Sequence, residues 1–295
     1  ATMMRMNNDG GTLKRNATIV DVARLAGVSR QTVSRVINRS PNVKSAVRER
    51  IEAAIEELGY VANLSARRMG GGRSYLILAI NDRARTIENW QAGRGNDWVD
   101  QMLFGGMTEC QKHGYHLLFE LVDTDPALSR KQLAGALAAL RPDGVILTPP
   151  HSDNDELAAL LEQRGTPCAR IGRRNGEGQV NVYMDEAGAA ADATRHLLSL
   201  GHRRIAFLAG DPGYGNSRLR VEGFRQTMRE AGLADDQASV GTGHFHFESG
   251  VMVAEDWLSQ AGAPTAIIAD NDQMAFAVLH VAGRRSIAIP SSLSV

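Results

Sequence analysis

Apolar residues first fall into a regular pattern at Thr18. Ile19, Val22, Ala23 and Ala26 recur at the i, i+3, i+4, i+7 spacing of a one-sided helix, with Thr18 placed as its N-cap. Gly27 ends that helix and Val28 puts an apolar residue inside the turn. Ser29 is placed to cap a second helix whose inner face is Val33, Val36 and Ile37. After a loop over 38–44, a third helix is expected over Ser45–Leu58, with Val47, Ile51, Ala54, Ile55 and Leu58 on one side, mostly charged residues on the other, and Gly59 to stop it. Three helices this short enclose a core that is only marginally stable alone, so the segment is expected to lean on a partner or on DNA.

Residues 63–72 combine about one helical turn with a glycine run that breaks helices, which makes them a linker with conditional structure. Residues 1–16 are polar, lack periodicity and read as a disordered leader. Beyond the linker the pattern becomes strand, helix, strand, helix. Tyr75 to Ile80, His116 to Leu121, Gly144 to Thr148 and Cys168 to Ile171 are short apolar runs, and helical stretches fall near 98–113, 129–140 and 153–164. A second series follows, with helices over 186–200, 217–231 and 272–282 and strands over 204–209 and 265–269. Two α/β lobes with parallel sheets are implied, with a crevice between them.

Composition narrows the class. The 295 residues are 43% hydrophobic and 22% charged, which excludes disorder for the bulk of the chain. No run of 18 or more apolar residues occurs, and the first residues lack the apolar core of a signal peptide, so a soluble, cytoplasmic protein without membrane contact is expected. Cys110 and Cys168 are too few for a disulfide scaffold or a cysteine-built zinc site. The net charge of zero hides an asymmetry. Residues 1–70 carry 12 Lys and Arg against 6 Asp and Glu, and residues 71–295 carry 21 against 27. A basic head on an acidic body fits a protein that meets a polyanion at one end.

The two helices around Gly27 carry the most specific chemistry. In a helix-turn-helix the second helix enters the major groove by its N-terminal end, and here that end presents Arg30, Gln31, Thr32, Ser34 and Arg35. Gln pairs bidentately with adenine and Arg with guanine, whereas Ser and Thr mostly reach phosphates. The bland reading is a solvated face on an ordinary helical hairpin.

The run Thr18-Ile19-Val20-Asp21-Val22-Ala23-Arg24-Leu25-Ala26-Gly27-Val28-Ser29-Arg30-Gln31-Thr32-Val33-Ser34-Arg35-Val36-Ile37-Asn38 resembles, without gaps, the DNA-binding head of the lactose-repressor/galactose-repressor family of bacterial transcription regulators. The likeness continues through Ile55-Glu56-Glu57-Leu58-Gly59-Tyr60 into Asn63-Leu64-Ser65-Ala66-Arg67-Arg68-Met69, which is similar to the family's hinge helix. In the body it reappears at Leu200-Gly201-His202-Arg203-Arg204-Ile205-Ala206, Ser217-Arg218-Leu219-Arg220-Val221-Glu222-Gly223-Phe224 and Asn271-Asp272-Gln273-Met274-Ala275. The resemblance implies a helix-turn-helix head over 17–62, a hinge helix and linker over 63–72, and a two-lobed, periplasmic-binding-protein-like effector domain over 73–295. It also implies a homodimer on a pseudo-palindromic double-stranded DNA operator. Thr18, Ser29, Arg30, Gln31, Thr32, Ser34, Arg35, Asn38, Asn63, Ala66 and Met69 are the implied DNA contacts. Ala62 replaces the usual proline before the hinge, and Met69 replaces the usual leucine wedge, a role that methionine can fill.

By the same resemblance Arg220 and Asn271 match effector ligands, and Phe245 sits where an aromatic ring can stack on a sugar. Each has an alternative: Arg220 as a surface residue, Phe245 as core, Asn271 as a helix cap. A carbohydrate or glycoside is the expected effector, with a purine as the alternative. Family members continue beyond Val295 with a segment holding an aspartate for the same hydroxyls, so the chain looks truncated and its effector domain incomplete.

The remaining clusters read as structural. Cys110 with His113, and His244 with His246, do not supply convergent metal ligands, and His202 reads as fixing a loop. No nucleophile elbow, phosphate loop or dinucleotide fingerprint appears. An enzyme and a transport-type sugar-binding protein are the competing classes. The first lacks a catalytic constellation, the second has no use for residues 18–69, and no cofactor or metal is called for.

Overall fold

The computed structural model describes residues 17–37, 40–60, 73–91, 97–174, 180–233 and 238–295. The expected leader and hinge, and with them Asn38, Asn63, Ala66 and Met69, lie outside the described residues. The chain divides into two compact units, residues 1–75 and residues 76–295.

In the first unit, helices α1 (Ile19–Leu25), α2 (Arg30–Ile37) and α3 (Ser45–Leu58) follow one another as the periodicity predicts. Val22, Ala23, Ala26, Val33, Val36, Ile51, Ala54 and Tyr60 form the shared core. Gly27 adopts φ +62° in the α1–α2 turn and Gly59 adopts φ +57° at the end of α3. Both are left-handed conformations that a Cβ disfavours. Two arginines of α3 tie the unit together: the Arg50 guanidinium donates to the Ala26 carbonyl at the end of α1, and Arg48 donates to the Ser40 carbonyl.

In the second unit, strands β1 (Leu76–Asp82), β2 (His116–Val122), β3 (Gly144–Leu147), β4 (Cys168–Ile171) and β5 (Val180–Val182) form a parallel sheet in the order β2-β1-β3-β4-β5. Leu78, Ile80, Val145 and Leu147 pack there against Leu133 and Leu137 of helix Pro126–Leu140 and Leu157 and Leu161 of helix Asp155–Gln163. A second parallel sheet, β7-β6-β8, consists of β6 (Ile205–Ala209), β7 (Ala238–Thr242) and β8 (Ala266–Ala269). Its two faces bury separate clusters. Phe207 packs on Phe224 and Met228 of helix Gly215–Glu230, and Leu208 packs near Met274 and Val278 of helix Asp272–Arg284.

The expected strands are all present. The helix expected over 153–164 is present as Asp155–Gln163, preceded by a short 3-10 turn, His151–Asp153. Asn154 divides the two, because its side chain accepts from the backbone N–H of Glu156 and Leu157 and so starts a new helix.

Gly27→Ala isolates one cost in the head. No atom lies within 4 Å of the added Cβ, so only the left-handed backbone is penalised, by about 1 kcal/mol. The melting transition of the small unit should fall by about 4–8 °C, measured by circular dichroism on the full chain. An unchanged transition would contradict the turn geometry.

Candidate functional site

In the head, the polar side chains separate into two groups. The backbone N–H and hydroxyl of Thr18 both donate to the Asp21 carboxylate, at 2.9 and 2.6 Å. The Ser29 hydroxyl oxygen accepts from the Thr32 backbone N–H at 3.2 Å and lies 2.9 Å from the Thr32 hydroxyl. Thr18 and Ser29 therefore serve first to fix where α1 and α2 begin, and Thr32, within α2, is the partner of Ser29 there. Arg30, Gln31 and Arg35 are exposed on α2 and hold no partner among the described residues. Gln31 and Arg35, four residues apart, share one face of the helix, while Ser34 is half-buried and Val33 and Val36 face the core.

In the body, a cavity of about 500 Å³ opens at the carboxyl ends of the strands of both sheets, where loops of α/β lobes bring side chains together. Asn81 and Asp82 end β1, and Thr148 and Pro149 follow β3. Across from them stand Tyr214 and Arg220 after β6, Phe245 after β7 and Asn271 after β8. The two lobes meet here directly. The Tyr214 hydroxyl donates to Asp82 at 2.6 Å, and the Gly215 N–H at the start of helix Gly215–Glu230 donates to the Asp153 carboxylate at 2.8 Å. A Cβ on Gly215 would fall 2.5 Å from that carboxylate, so glycine is what permits the approach. Burial pushes the Tyr214 phenol further up from an ordinary value already well above neutrality, so the group is a donor at neutral pH.

Arg220 is the centre of the second-lobe wall. Its Nε donates to Glu186 at 2.6 Å, and its Nη1 donates to the Asp270 carboxylate at 2.6 Å and the Asp270 carbonyl at 3.0 Å. Burial opposes the guanidinium charge, but the hydrogen bonds and field of the two carboxylates outweigh it and raise the pKa above the ordinary value. Both carboxylates are buried. Asp270 also accepts from the Gly210 N–H and the Ser217 hydroxyl, so one side chain joins the ends of β6 and β8 to the helix that carries Arg220.

Phe245 and Asn271 both line the cavity and both serve the protein. The Phe245 ring is buried among core residues, with the Arg85 guanidinium 4.1 Å above its centroid and the Tyr214 ring edge-on at 5.4 Å. His244 and Phe245 adopt φ +49° and +60°, a conformation that bulky residues adopt only when their surroundings impose it. Asn271 is part of what imposes it. Its Nδ2 donates to the Phe245 carbonyl at 3.0 Å, and its Oδ1 caps helix Asp272–Arg284 by accepting from the Met274 N–H. The more exposed aromatic rings on the cavity wall are Trp98 and Tyr183.

Sequence reading missed Glu186, Asp270, Asp82, Tyr214 and Arg85. Asp270 had a visible signal, since Ala-Asp-Asn-Asp directly follows an apolar strand in the position of a crevice loop. Elsewhere, His202 fixes its loop as expected, through hydroxyl partners on Thr265 and Ser294. Among the described residues no cluster of His, Cys, Asp and Glu could hold a metal ion, and no helix is long and apolar enough to cross a membrane.

A helix-turn-helix head joined to a two-lobed body with a crevice cavity defines a DNA-binding protein with a ligand-binding type of regulatory domain. Residues 18–63 match the family described as bacterial regulatory proteins, lacI family, and residues 96–293 match the periplasmic binding proteins and sugar-binding domain of the LacI family. The HTH-type transcriptional regulator CelR of Thermobifida fusca is 34% identical over 288 residues, covering 96% of this chain and 82% of that protein. The ribose operon repressor of Escherichia coli K12 is 31% identical over 282 residues, covering 95% and 82%. Among solved structures, the lac repressor dimer bound to operator and the anti-inducer ONPF has a TM-score of 0.79 at 26% identity, covering 95% of this chain and 82% of that one. A CelR–cellobiose complex has a TM-score of 0.63 at 31% identity, covering 94% and 81%. The chain belongs to the LacI family and is a DNA-binding transcriptional regulator, not an enzyme.

Asp270→Ala strips a carboxylate partner from Gly210, Ser217 and Arg220 at once and leaves a guanidinium that is only 22% exposed with Glu186 as its one carboxylate. The expected loss is about 3–5 kcal/mol for the body, read from urea unfolding of the full chain. Asp272→Ala, on an exposed neighbour, should change stability by less than about 0.5 kcal/mol.

Proposed function

We propose that the chain is a cytoplasmic, nucleoid-associated repressor that binds a pseudo-palindromic operator as a homodimer and is switched by an uncharged sugar held between the lobes of the body. The observation that carries the effector reading is the hydrogen-bond count at Arg220. A guanidinium has five N–H groups. Three of them go to Glu186 and Asp270, which leaves the Nη2 pair, on a side chain that lines the cavity, as a fixed fork for adjacent hydroxyls. Asn271 and the Arg85-covered Phe245 complete that wall, and Trp98 offers an apolar ring to a pyranose face. The solved CelR–cellobiose complex and the likeness to the ribose operon repressor support a carbohydrate.

The charge of the wall supports an uncharged one. Asp82, Glu186, Asp270 and Asp272 line the cavity against Arg85 and Arg220, so an anionic ligand meets an excess of negative charge. In the head, Arg30, Gln31 and Arg35 read base edges, while Thr18, Ser29, Thr32 and Ser34 orient the helix and reach phosphates. Asn38 is assigned to the same DNA contacts on the family resemblance alone. Residues 63–72 form the hinge, with Asn63 and Ala66 in the minor groove and Met69 as its wedge. This assignment gives a head over 17–62 and an effector domain over 73–295.

Two measurements test the proposal. Gln31→Ala and Arg35→Ala should each cost about 1–3 kcal/mol on an operator selected from random DNA and relax its sequence preference, read by gel shift. Equal losses on selected and random DNA would reduce both residues to phosphate contacts. Calorimetry of the full chain with cellobiose, D-ribose, D-glucuronate and D-glucose 6-phosphate should show a neutral sugar bound at least about tenfold more tightly than either anion. Tighter binding of an anion, or of a purine base alone, would overturn the uncharged-sugar reading.

A further inference from the structure

Large apolar residues stand exposed along one side of the cavity. Trp98, Val182, Tyr183 and Met184 all line it, and they are 46%, 55%, 50% and 59% exposed. All four belong to the first lobe: Val182 ends β5, Tyr183 and Met184 follow it, and Trp98 lies in the first turn of helix Asp97–Lys112. Single apolar residues scattered over a surface are ordinary, but several gathered at the wall of one cavity mark a surface that a ligand covers.

The ring to which the family resemblance points is already occupied. Phe245 is 6% exposed, with the Arg85 guanidinium 4.1 Å above its centroid and the Tyr214 ring edge-on to it. Trp98, by contrast, makes no ring contact among the described residues. Tyr183 has the Arg174 guanidinium 5.8 Å from its centroid and is still half exposed. The rings open to a ligand therefore stand on the first lobe, whereas the guanidinium fork that suits hydroxyls, Arg220, stands on the second.

Size and polarity narrow what covers this rim. A cavity of about 500 Å³ is in the range, about 300–1,000 Å³, of sites that enclose drug-sized ligands, and one sugar ring at Arg220 leaves part of it empty. Asn89, half-buried in helix Arg83–Gln91 of the same lobe, lines the cavity with an amide that has no hydrogen-bond partner among the described residues. Apolar rings beside such an amide suit a group that is apolar on its face and carries hydroxyls at its edge. A second sugar ring is such a group, whereas an aryl group covers the rings and leaves the amide unpaired.

We propose that the effector has at least two sugar rings, one held at the Arg220 wall of the second lobe and the next stacked on Trp98 and Tyr183 of the first. The proposal rests on the reading of the cavity as a sugar site and narrows it to disaccharides and longer saccharides. Trp98 contributes affinity for the second ring alone, so it sets the length of saccharide that the site accepts.

The test is calorimetry on the full chain with D-glucose, D-ribose, cellobiose, maltose and phenyl β-D-glucopyranoside. One of the two disaccharides should bind at least about tenfold more tightly than either monosaccharide. Trp98→Ala should weaken that disaccharide about tenfold and change D-glucose by less than about twofold, while Trp98→Phe, which keeps a ring, should recover most of the loss. A thermal melt checks the fold, and should Trp98→Ala fail to fold, Tyr183→Ala carries the same comparison. A monosaccharide bound as tightly as the better disaccharide, an equal loss for both in the variant, or no loss for either, would overturn the second-ring site and leave the sugar reading standing. Tighter binding of the phenyl glycoside than of both disaccharides would overturn the second sugar ring in favour of an aryl group. No binding of any of these ligands by the wild type would overturn both the site and the sugar reading.

Discussion

The second lobe depends on one buried carboxylate. Asp270 stands at the end of β8 and accepts from the Gly210 N–H at the end of β6, from the Ser217 hydroxyl and from Arg220. A charge so deep is tolerated only when it is fully hydrogen-bonded, and here each partner comes from an element that must be in place for the cavity to exist. Arg220 in turn is held at two points, by Asp270 and Glu186, which fixes the plane of its guanidinium before any ligand arrives. Rigid placement of this kind limits the ordering cost of binding.

The strained pair His244–Phe245 depends on the same neighbourhood. Phe245 is anchored by its burial, by Arg85 above its ring and by the Asn271 amide on its carbonyl. Asn271 follows Asp270 in the chain, so the residue that restrains the loop after β7 is positioned by the strand whose end carries the buried charge. Three loops of the second lobe thus share one set of polar contacts, and none is free to move without disturbing the others.

Much of the fold was legible in the sequence, because apolar periodicity reports directly on burial. The three head helices followed from Ile19, Val22, Ala23 and Ala26 and their successors, and the central strands from short apolar runs. Helix Arg83–Gln91 was missed because its one buried residue is Thr86, so it carries no apolar stripe. Strand Val180–Val182 has three residues with no buried side chain, and Ala238–Thr242 reads Ala-Ser-Val-Gly-Thr. Helix Phe247–Ser259 did have a signal, since Gly250, Val251, Ala254 and Leu258 repeat at helical spacing. At the site, Arg220, Phe245 and Asn271 came from family resemblance and do line one cavity. Glu186 and Asp82 were not found, because their importance lies in contacts between residues far apart in the chain, which neither spacing nor composition encodes; Asp270 was passed over although it directly follows an apolar strand.

The Asp153–Gly215 contact has a consequence for motion. Helix Gly215–Glu230 lacks a side-chain cap from its own N-cap residue, Tyr214, and the first N–H of the helix is satisfied by a carboxylate of the opposite lobe. Helix ends need such partners, and an anion there also complements the helix dipole. Separating the lobes by more than a hydrogen-bond length removes the partner and exposes the end of the helix that carries Arg220. The cleft width and the state of that helix end are therefore a single mechanical variable. A ligand that changes the width is felt along the helix axis, without any contact of its own beyond the cavity.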